Sequence, residues 1–464
     1  MAEISRKELF ESMPVSQALW TMAVPTIISQ MVNLIYNMVD AFFIGRTGNS
    51  YMMAATSITL TLTMLNVAFS NLFGVGGGSL VARLMGQKNT EDGKRVSAFS
   101  FVSCIVLSLV YSLLIGLFLD PVLNFLGASE MTIDYARQYT VLVIVIGSLP
   151  AIVSLTLAHL LRNAGFSSQA GIGLSGGGIL NMVLDPLFMF VLLPKGSEVL
   201  GAALATLISN MVSAVYLLVQ FHRAGRSAPL SMSVAAAGKI SARHRKQLFA
   251  VGIPSAILTG LFDLANIFVN ILASSHSDLV LAAMGIVMKV ERIPNAINIG
   301  ICQGMLPIVA YNYSSGNHAR MKETIHTARK YGLLISACSI VILELLAYPI
   351  TNLFLSTSTG HAREALITVG YAALFLRIRC LASPMQFTNY HTSYCMQAMG
   401  MGKATLLHAS VRELVFYIPC MFILDRLFGE VGLAAALPVG ETLGAVFALF
   451  LLNRVLKDAG TSIE

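Results

Sequence analysis

The stretch SAFSFVSCIVLSLVYSLLIGLFL, residues 97–119, contains no charged side chain and is long enough to cross a lipid bilayer as one helix. The hydrocarbon core of a bilayer is about 30 Å thick, so a spanning helix needs about 20 mainly apolar residues. A helix is favoured there because its backbone polar groups are satisfied within the segment itself. This stretch therefore predicts a membrane-spanning α-helix.

Further apolar stretches of similar length flank this one, and together they predict an all-α integral membrane protein with twelve transmembrane helices. The predicted spans are 18–43, 53–82, 97–119, 138–161, 169–193, 200–221, 247–273, 280–309, 331–354, 366–393, 404–424 and 431–453. The composition agrees, since 56% of the 464 residues are hydrophobic and only 11% are charged, and the mean hydropathy is +0.74. Soluble domains carry about 25% charged residues, so a soluble enzyme is excluded.

The basic residues predict the orientation of the chain in the membrane. If the N-terminus is cytoplasmic, the inner connections hold most of the 30 Lys and Arg residues, and the outer ones hold only Arg46, Arg137, Lys195, Arg363 and Arg426. Cytoplasmic loops carry an excess of Lys and Arg, so we expect both termini in the cytoplasm. The same loops account for the formal net charge of +7, and we expect no nucleic-acid partner.

The two halves of the chain resemble each other. Residues 23–25 (AVP) recur as 252–254 (GIP), and residues 201–205 (GAALA) recur as 432–436 (GLAAA). Each half holds six predicted spans, so both halves start on the same side and form a parallel repeat about an axis along the membrane normal. We predict two six-helix lobes related by a pseudo-twofold axis: an N-lobe (1–222), a cytoplasmic central loop (223–246) and a C-lobe (247–464).

Charged side chains within the spans are candidates for function, because a charge at the bilayer centre costs at least about 2.5–3.5 kcal/mol. Asp40 lies in the first span, with Tyr36 and Asn37 about one helical turn before it. Residues three and four apart share one face of a helix. We therefore expect Asp40 to lie on a polar face, with Tyr36 and Asn37 as supporting residues.

The fifth and sixth spans carry polar groups at a matching depth. Asn181 and Asp185 are one turn apart in the fifth span, and Pro186 removes a backbone donor beside them. Because the first and fifth spans run outward and the sixth runs inward, Asp40, Asp185 and Thr206 all lie in the outer half of the membrane. Two carboxylates, an amide oxygen and a hydroxyl at one depth predict a site for a proton or a hard cation such as Na⁺. The alternative is a structural cluster that is hydrogen-bonded across helices.

The second half carries further charged residues within its spans. Asp263 and Arg377 are candidates for a C-lobe cavity, and Arg377 and Arg379 can pair with Asp263, with Glu344 or with an anionic substrate. We expect the others to neutralise their neighbours in two groups, namely Lys289, Glu291 and Arg292 in the eighth span, and Arg412, Glu413 and Glu441 in the last two.

Four groups of residues resemble the multidrug and toxic compound extrusion (MATE) transporters, in their bacterial form. The resemblance covers the whole chain and rests on Pro25–Gly45 with Asp40, on Asn181-x3-Asp185-Pro186, on Gly201-Ala202-Ala203-x2-Thr206, and on Gln303-Gly304-x2-Pro307 followed by Tyr311-Asn312-Tyr313. It implies export of cationic, often aromatic compounds in exchange for inward Na⁺ or H⁺. Carried over to this chain, the resemblance assigns the coupling cation to Asp40, Asn181, Asp185 and Thr206. It assigns no coupling site to the C-lobe, because the tenth span carries an acidic residue in some relatives but Arg377 and Arg379 in this chain.

The predicted function is that of a secondary antiporter in the bacterial inner membrane. It moves small organic molecules, works as a monomer in the lipid bilayer, and has a coupling ion in place of a cofactor. The sequence contains neither a Walker motif nor HExxH, so ATP hydrolysis and zinc-dependent hydrolysis have no support, and we expect no enzyme. One alternative is a lipid-linked precursor flippase of the same superfold, which Arg377 and Arg379 favour. The other is a passive channel, against which the carboxylates deep in one lobe argue.

Overall fold

The computed structural model describes residues 7–355 and 362–458, and these are largely helical and contain no β-strand. These residues form twelve long helices. The helices are α1 (Val15–Arg46), α2 (Ser50–Gly86), α3 (Thr90–Leu117), α4 (Ile133–Ile146 continued by Ser148–Asn163), α5 (Ser167–Leu192), α6 (Glu198–Ala224), α7 (Ala242–His276), α8 (Asp278–Ser314), α9 (His318–Leu355), α10 (Ala362–Cys380 continued by Ser383–Ala398), α11 (402–428) and α12 (430–458). They confirm the predicted all-α fold. The largest difference in bounds is in α9, which begins at His318 and not at 331, because the amphipathic turns before its apolar stretch are helical too.

The last two helices form a tight antiparallel hairpin. A single helix over this part of the chain would have 56 residues, whereas about 20 span a membrane. The backbone turns at Gly429, whose φ of 58° and ψ of −144° lie outside the helical region and favour glycine. After the turn, Gly432 lies against Leu424 and Gly444 lies against Arg412. The chain therefore runs back along itself and makes two spans.

Two of the described spans are bent, and three contain a π-helical stretch. α4 bends by 47° before Ser148, and α10 bends by 48° before Ser383. The π-helical stretches are Val141–Ile146 in α4, Phe188–Leu192 in α5 and Val411–Tyr417 in α11. π-Helical turns are rare and frequently lie at functional sites, and each of these three adjoins or contains buried polar residues.

The twelve helices form two lobes of six. In the N-lobe, α2, α3, α4 and α6 meet around an apolar core that includes Leu80 and Leu157. In the C-lobe, α7, α8, α10 and α12 meet around a second core that includes Val287 and Phe375. This arrangement confirms the predicted pair of six-helix lobes.

The lobes meet where α1 packs on α8 and α2 packs on α7. A Cβ atom on Gly304 would lie 2.7 Å from the Cα of Ala23, so this glycine lets α8 touch the backbone of α1. Gly252 of α7 lies against the backbone of Leu72 in the same way. These four residues lie in the halves of their helices nearest to the connection between the lobes. We call the contact that they form the seam.

Away from the seam, polar side chains on the same helices are exposed. Asn33 and Asn37 of α1 and Lys289 and Arg292 of α8 all have exposed surface. Polar and charged groups within spans face protein cavities or water rather than lipid. These residues therefore indicate a cleft between the lobes that opens at the end opposite the seam.

The N-terminal turn Glu8–Ser12 adds a contact at the seam end. It precedes α1 of the N-lobe, yet the ring of Phe10 stacks on Tyr311 of α8, with 4.9 Å between ring centroids. Tyr311 Oη donates a hydrogen bond to Glu11 Oε1 at 2.6 Å, and Arg320 Nε of α9 donates to the carbonyl oxygen of Phe10 at 2.8 Å. The turn thus ties the two lobes together.

We predict that Gly304→Ala weakens the seam, because the added Cβ atom meets the backbone of Ala23 and a helix has to shift. The expected results are a lower melting temperature in detergent and a greater distance between spin labels placed on α1 and α8. Gly285→Ala is the matched control in the same helix, since its Cβ atom would meet nothing within 4 Å and alanine is favoured over glycine in helices by about 0.5–1 kcal/mol. Equal melting temperatures and equal label distances in the two variants would contradict this account of the seam.

Candidate cation-binding site

The structure brings together Asp40 of α1, Asn181 and Asp185 of α5, and Thr206 of α6. Asn181 Nδ2 donates to Asp185 Oδ1 at 3.3 Å and to Thr206 Oγ1 at 3.4 Å. Asp40 lies close enough to Asp185 for their charges to interact. Asn181 and Asp185 have only 2% and 0% of their surface exposed. We call these four residues the N-lobe cluster.

Small residues on α5 bring the helices of this cluster into contact. A Cβ atom on Gly178 would lie 2.9 Å from Cγ1 of Val32 in α1, and one on Gly177 would collide with Ser213 of α6. Two adjacent glycines thus let α5 approach α1 on one side and α6 on the other. Asp185 lies two turns further along α5, where side chains of both neighbouring helices are within reach.

Three oxygens of the N-lobe cluster are buried without a hydrogen-bond partner, namely Oδ1 of Asp40, Oδ1 of Asn181 and Oδ2 of Asp185. Proteins satisfy most of their buried polar atoms, because an unpaired one is costly. None of the ion pairs in the described part of the chain includes either aspartate. Carboxylate and amide oxygens are ligands of hard cations, and a carboxylate also binds a proton. The residues present therefore fit either ligand.

Tyr139 of α4 belongs beside this cluster, although the sequence did not single it out. Its side chain lies near Thr206, Asp40, Asp185 and Tyr36. Tyrosine at the end of a predicted span is usual as an anchor at the membrane interface, which explains the omission. The sequence did offer one signal: Tyr139 is predicted to lie at about the same depth in the membrane as the two aspartates.

The three residues expected to support the site take different positions. Tyr36 lies near both aspartates. Asn37 donates to the carbonyl oxygen of Asn33 at 2.6 Å and is exposed on the same face of α1. Pro186 lies inside α5, just before the π-helical stretch Phe188–Leu192.

The structure does not bring together the two C-lobe candidates, Asp263 and Arg377. Asp263 lies near Arg292 of α8. Arg377 Nε lies 3.7 Å from Glu344 Oε2 of α9, in a pair whose side chains are 54% and 39% exposed, and such exposed pairs contribute little stability. The two candidates therefore have separate partners.

Two pairs of buried charged residues join neighbouring helices of the C-lobe. Arg379 of α10 donates through Nε and Nη2 to the two carboxylate oxygens of Glu291, at 2.7 and 2.9 Å. Arg412 of α11 binds both carboxylate oxygens of Glu441 in α12 in the same way, which confirms their expected packing role. The expected mutual neutralisation within residues 289–292 is wrong, because adjacent residues on a helix do not face each other and Glu291 pairs with α10 instead.

We predict that Tyr139→Phe weakens the binding of Na⁺ at the N-lobe cluster, because Thr206 loses a neighbouring hydroxyl group that can hydrogen-bond to it in the ion-bound state. One such hydrogen bond is worth about 0.5–1.5 kcal/mol, which corresponds to roughly two- to tenfold weaker binding. Calorimetric titration of the purified protein with NaCl measures the effect. Tyr135→Phe, one turn earlier on α4 and half-buried, is the matched control, and equal affinities in the two variants would remove Tyr139 from the site.

Comparison with known proteins shows similarity over nearly the whole chain. The MatE family model matches residues 25–187 and 254–423, which is one match in each lobe. The chain is 30% identical over 460 residues to the multidrug export protein MepA of Staphylococcus haemolyticus (strain JCSC1435), with 98% of both chains covered. It is 28% identical over 466 residues to MepA of Staphylococcus aureus (strain MRSA252), again with 98% of both covered.

Solved structures share this fold. The crystal structure of a MATE in complex with MaL6 has a TM-score of 0.91 at 20% identity, and the match covers 98% of this chain and 99% of that one. An outward-facing conformation of a multidrug resistance MATE family transporter of the MOP superfamily has a TM-score of 0.90 at 20% identity, with 98% of both chains covered. With a family match in each lobe and relatives that align from end to end, the chain belongs to the MatE family of transporters.

Proposed function

We propose that this protein is a secondary active antiporter that exports small organic, mostly cationic compounds in exchange for Na⁺ or H⁺. The names of the MepA relatives, which are multidrug export proteins, support the export of several substrates. The observation that carries the ion coupling is the set of three unpartnered, buried oxygens on Asp40, Asn181 and Asp185. Unpaired buried acceptors are costly, and a bound proton or cation would satisfy those of the two carboxylates.

Helix α1 connects the N-lobe cluster with the seam. Asp40 lies 17 residues after Ala23 in the sequence, which is about 26 Å along a helix. When both aspartates are ionised and empty, their charges repel and separate α1 from α5. A proton or Na⁺ held between Asp40 and Asp185 removes this repulsion. Because the other end of α1 packs on Gly304, a movement of α1 changes the contact between the lobes.

Coupling follows if the ion and the substrate favour different conformations of the lobes. The ion is held at Asp40 and Asp185 within the N-lobe, and the substrate lies in the cleft beside Asn33 and Asn37. Each ligand shifts the equilibrium only by its differential affinity for the two conformations. An inward ion gradient then drives export of the substrate without ATP.

We place both termini and the seam on the cytoplasmic side of a bacterial inner membrane. The basic residues of the connection between the lobes support this orientation, since loops rich in Lys and Arg stay inside. In this orientation, the described conformation is closed to the cytoplasm and open to the outside. The N-lobe (1–222) and the C-lobe (247–464), joined by the loop 223–246, then make one transporting monomer with a coupling ion and no further cofactor.

The second candidate is a lipid-linked precursor flippase, whose anionic substrate needs unpaired cationic groups in the cleft. Lys289 and Arg292 of α8 are exposed and favour it. Arg379 does not, because Glu291 binds it, and Arg377 lies 3.7 Å from Glu344. The antiporter is therefore the stronger proposal, and transport of an aromatic cation separates the two.

We predict that Asp40→Asn and Asp185→Asn each abolish gradient-driven transport of an aromatic cation such as ethidium, because the amide keeps the shape of the carboxylate and loses its charge. Uptake into inverted membrane vesicles, with Na⁺ and pH gradients imposed independently, measures transport. Asp278→Asn is the control, since Asp278 is exposed at the start of α8. Uptake at the wild-type rate in the Asp40 and Asp185 variants, at equal protein level, would refute the proposed roles.

We predict that Na⁺ and protons compete at the N-lobe cluster, because either one relieves the repulsion between Asp40 and Asp185. Addition of NaCl to purified protein in weakly buffered solution should release protons, with choline chloride as the control for ionic strength. The release should vanish in the Asp40→Asn/Asp185→Asn double variant. Equal release from the double variant would place the shared site elsewhere, and no release from the wild type would mean that the cluster is selective for one ion.

A further inference from the structure

A second cluster of buried polar residues lies in the opposite lobe. It comprises Arg412 and Glu413 of α11, Glu441 of α12, and two neutral neighbours, Asn389 and His408, and we call it the C-lobe cluster. Each of these five side chains is at most 2% exposed. We propose that Glu413 is a second proton-binding carboxyl group, which loads and releases a proton during the transport cycle.

The charges of this cluster do not balance. Arg412 Nε donates to Glu441 Oε2 at 3.0 Å, Arg412 Nη2 donates to Glu441 Oε1, and Asn389 Nδ2 donates to Glu441 Oε2 at 2.6 Å. Glu441 is thereby satisfied and neutralises Arg412. Glu413 Oε1 lies 3.6 Å from Arg412 Nε, but Glu413 Oε2 is buried without a hydrogen-bond partner. With both carboxylates ionised, the cluster carries one uncompensated negative charge, which burial makes costly.

The contacts of His408 do not require it to carry the missing positive charge. Its Nε2 lies 3.1 Å from Asn389 Oδ1, and its Nδ1 lies 2.9 Å from Ser393 Oγ. The amide of Asn389 already donates to Glu441, so its Oδ1 accepts from Nε2–H, while Nδ1 accepts from the hydroxyl of Ser393. A neutral imidazole satisfies both contacts.

The other ionisable groups around Glu413 are also accounted for. Arg379 of α10 and Glu291 of α8 neutralise each other, and Tyr417 of α11 lies near Arg379. Tyr390 of α10 lies beneath Arg412, with 5.0 Å from the guanidinium carbon to the ring centroid. Asp263 of α7 interacts with Arg292 of α8. No described side chain is therefore left to neutralise the charge of Glu413, and a bound proton would do so.

The ligand of Glu413 is a proton and not a metal cation. A hard cation needs several oxygen ligands at once, and this cluster has one unpartnered carboxylate oxygen beside a guanidinium group. The N-lobe cluster differs, because it offers three such oxygens, on Asp40, Asn181 and Asp185. The two lobes thus present sites of different chemistry.

The surroundings of Glu413 relate it to the parts of the protein that we propose to act in transport. Glu413 lies in the π-helical stretch Val411–Tyr417, and such stretches are frequent where a helix changes register or carries a functional group. The hairpin of α11 and α12 corresponds in the repeat to that of α5 and α6, which carries Asp185 and Thr206. One turn after Tyr390, Tyr394 accepts a hydrogen bond from Gln303 of α8 at 3.3 Å. The cluster is thereby linked to the helix that forms the seam.

The test measures proton binding directly, because this inference rests on the proposed antiport and has to be separable from it. Infrared difference spectra between alkaline and acidic buffer report the carbonyl band of protonated carboxyl groups in the full-length protein. With Asp40→Asn/Asp185→Asn as the background, we expect a band that titrates and that disappears on addition of Glu413→Gln. Glu130→Gln, in an exposed connection, should leave the band unchanged, and Glu413→Asp should retain a shifted one.

Transport provides the second readout. Glu413→Gln should lower by one the number of protons that move per substrate molecule, at a melting temperature close to that of the wild type. An unchanged infrared band would overturn the proposal, and so would an unchanged proton count in Glu413→Gln. If antiport itself fails in the wild type while the band behaves as expected, the proton site stands and only its coupling to transport falls.

Discussion

An ionised group within a membrane span requires a partner of opposite charge, and this requirement organises the interior of the protein. In the C-lobe, the bidentate pairs Glu291–Arg379 and Arg412–Glu441 meet it across helices, while Oε2 of Glu413 has no partner. The N-lobe holds Asp40 and Asp185 near each other without a basic side chain bound to either in the described structure. Transport chemistry is expected where the pairing is incomplete, because an ion that arrives and leaves supplies the missing charge.

Close packing of helix backbones is the second requirement, and it operates through small residues. Hydrophobic burial gives little reason for helices to associate in lipid, so van der Waals contact between closely approaching backbones becomes important. Gly177 and Gly178 hold α5 against α6 and α1 beside the N-lobe cluster, and Gly304 holds α8 against α1 at the seam. One helix, α1, takes part in both contacts. A change at the ion site and a change at the seam are therefore mechanically connected.

Particular residues show which contacts of the site could be predicted from the sequence and which could not. Asp40, Asn181, Asp185 and Thr206 were predicted to lie together, because helical spacing and depth in the membrane are both readable from local sequence. Tyr139 was missed, since its contact with Thr206 depends on how α4 lies against α6. The sequence interpretation also assigned the wrong partners to Glu291. Its neighbours in the chain carry positive charge, yet they point to other sides of α8, and only the position of α10 shows that Arg379 is the partner.

By itself, the sequence determined the fold class, the twelve spans and the repeat of two six-helix lobes. These properties depend on hydropathy and on the fixed rise of a helix, which act over one segment at a time. Only the tertiary structure decided which charges are neutralised and which are left unpaired, and that the lobes touch at one end through Gly252 and Gly304. Such contacts join residues far apart in the chain, and whether they form depends on the rotation and bend of each helix about its neighbours, which no local pattern specifies.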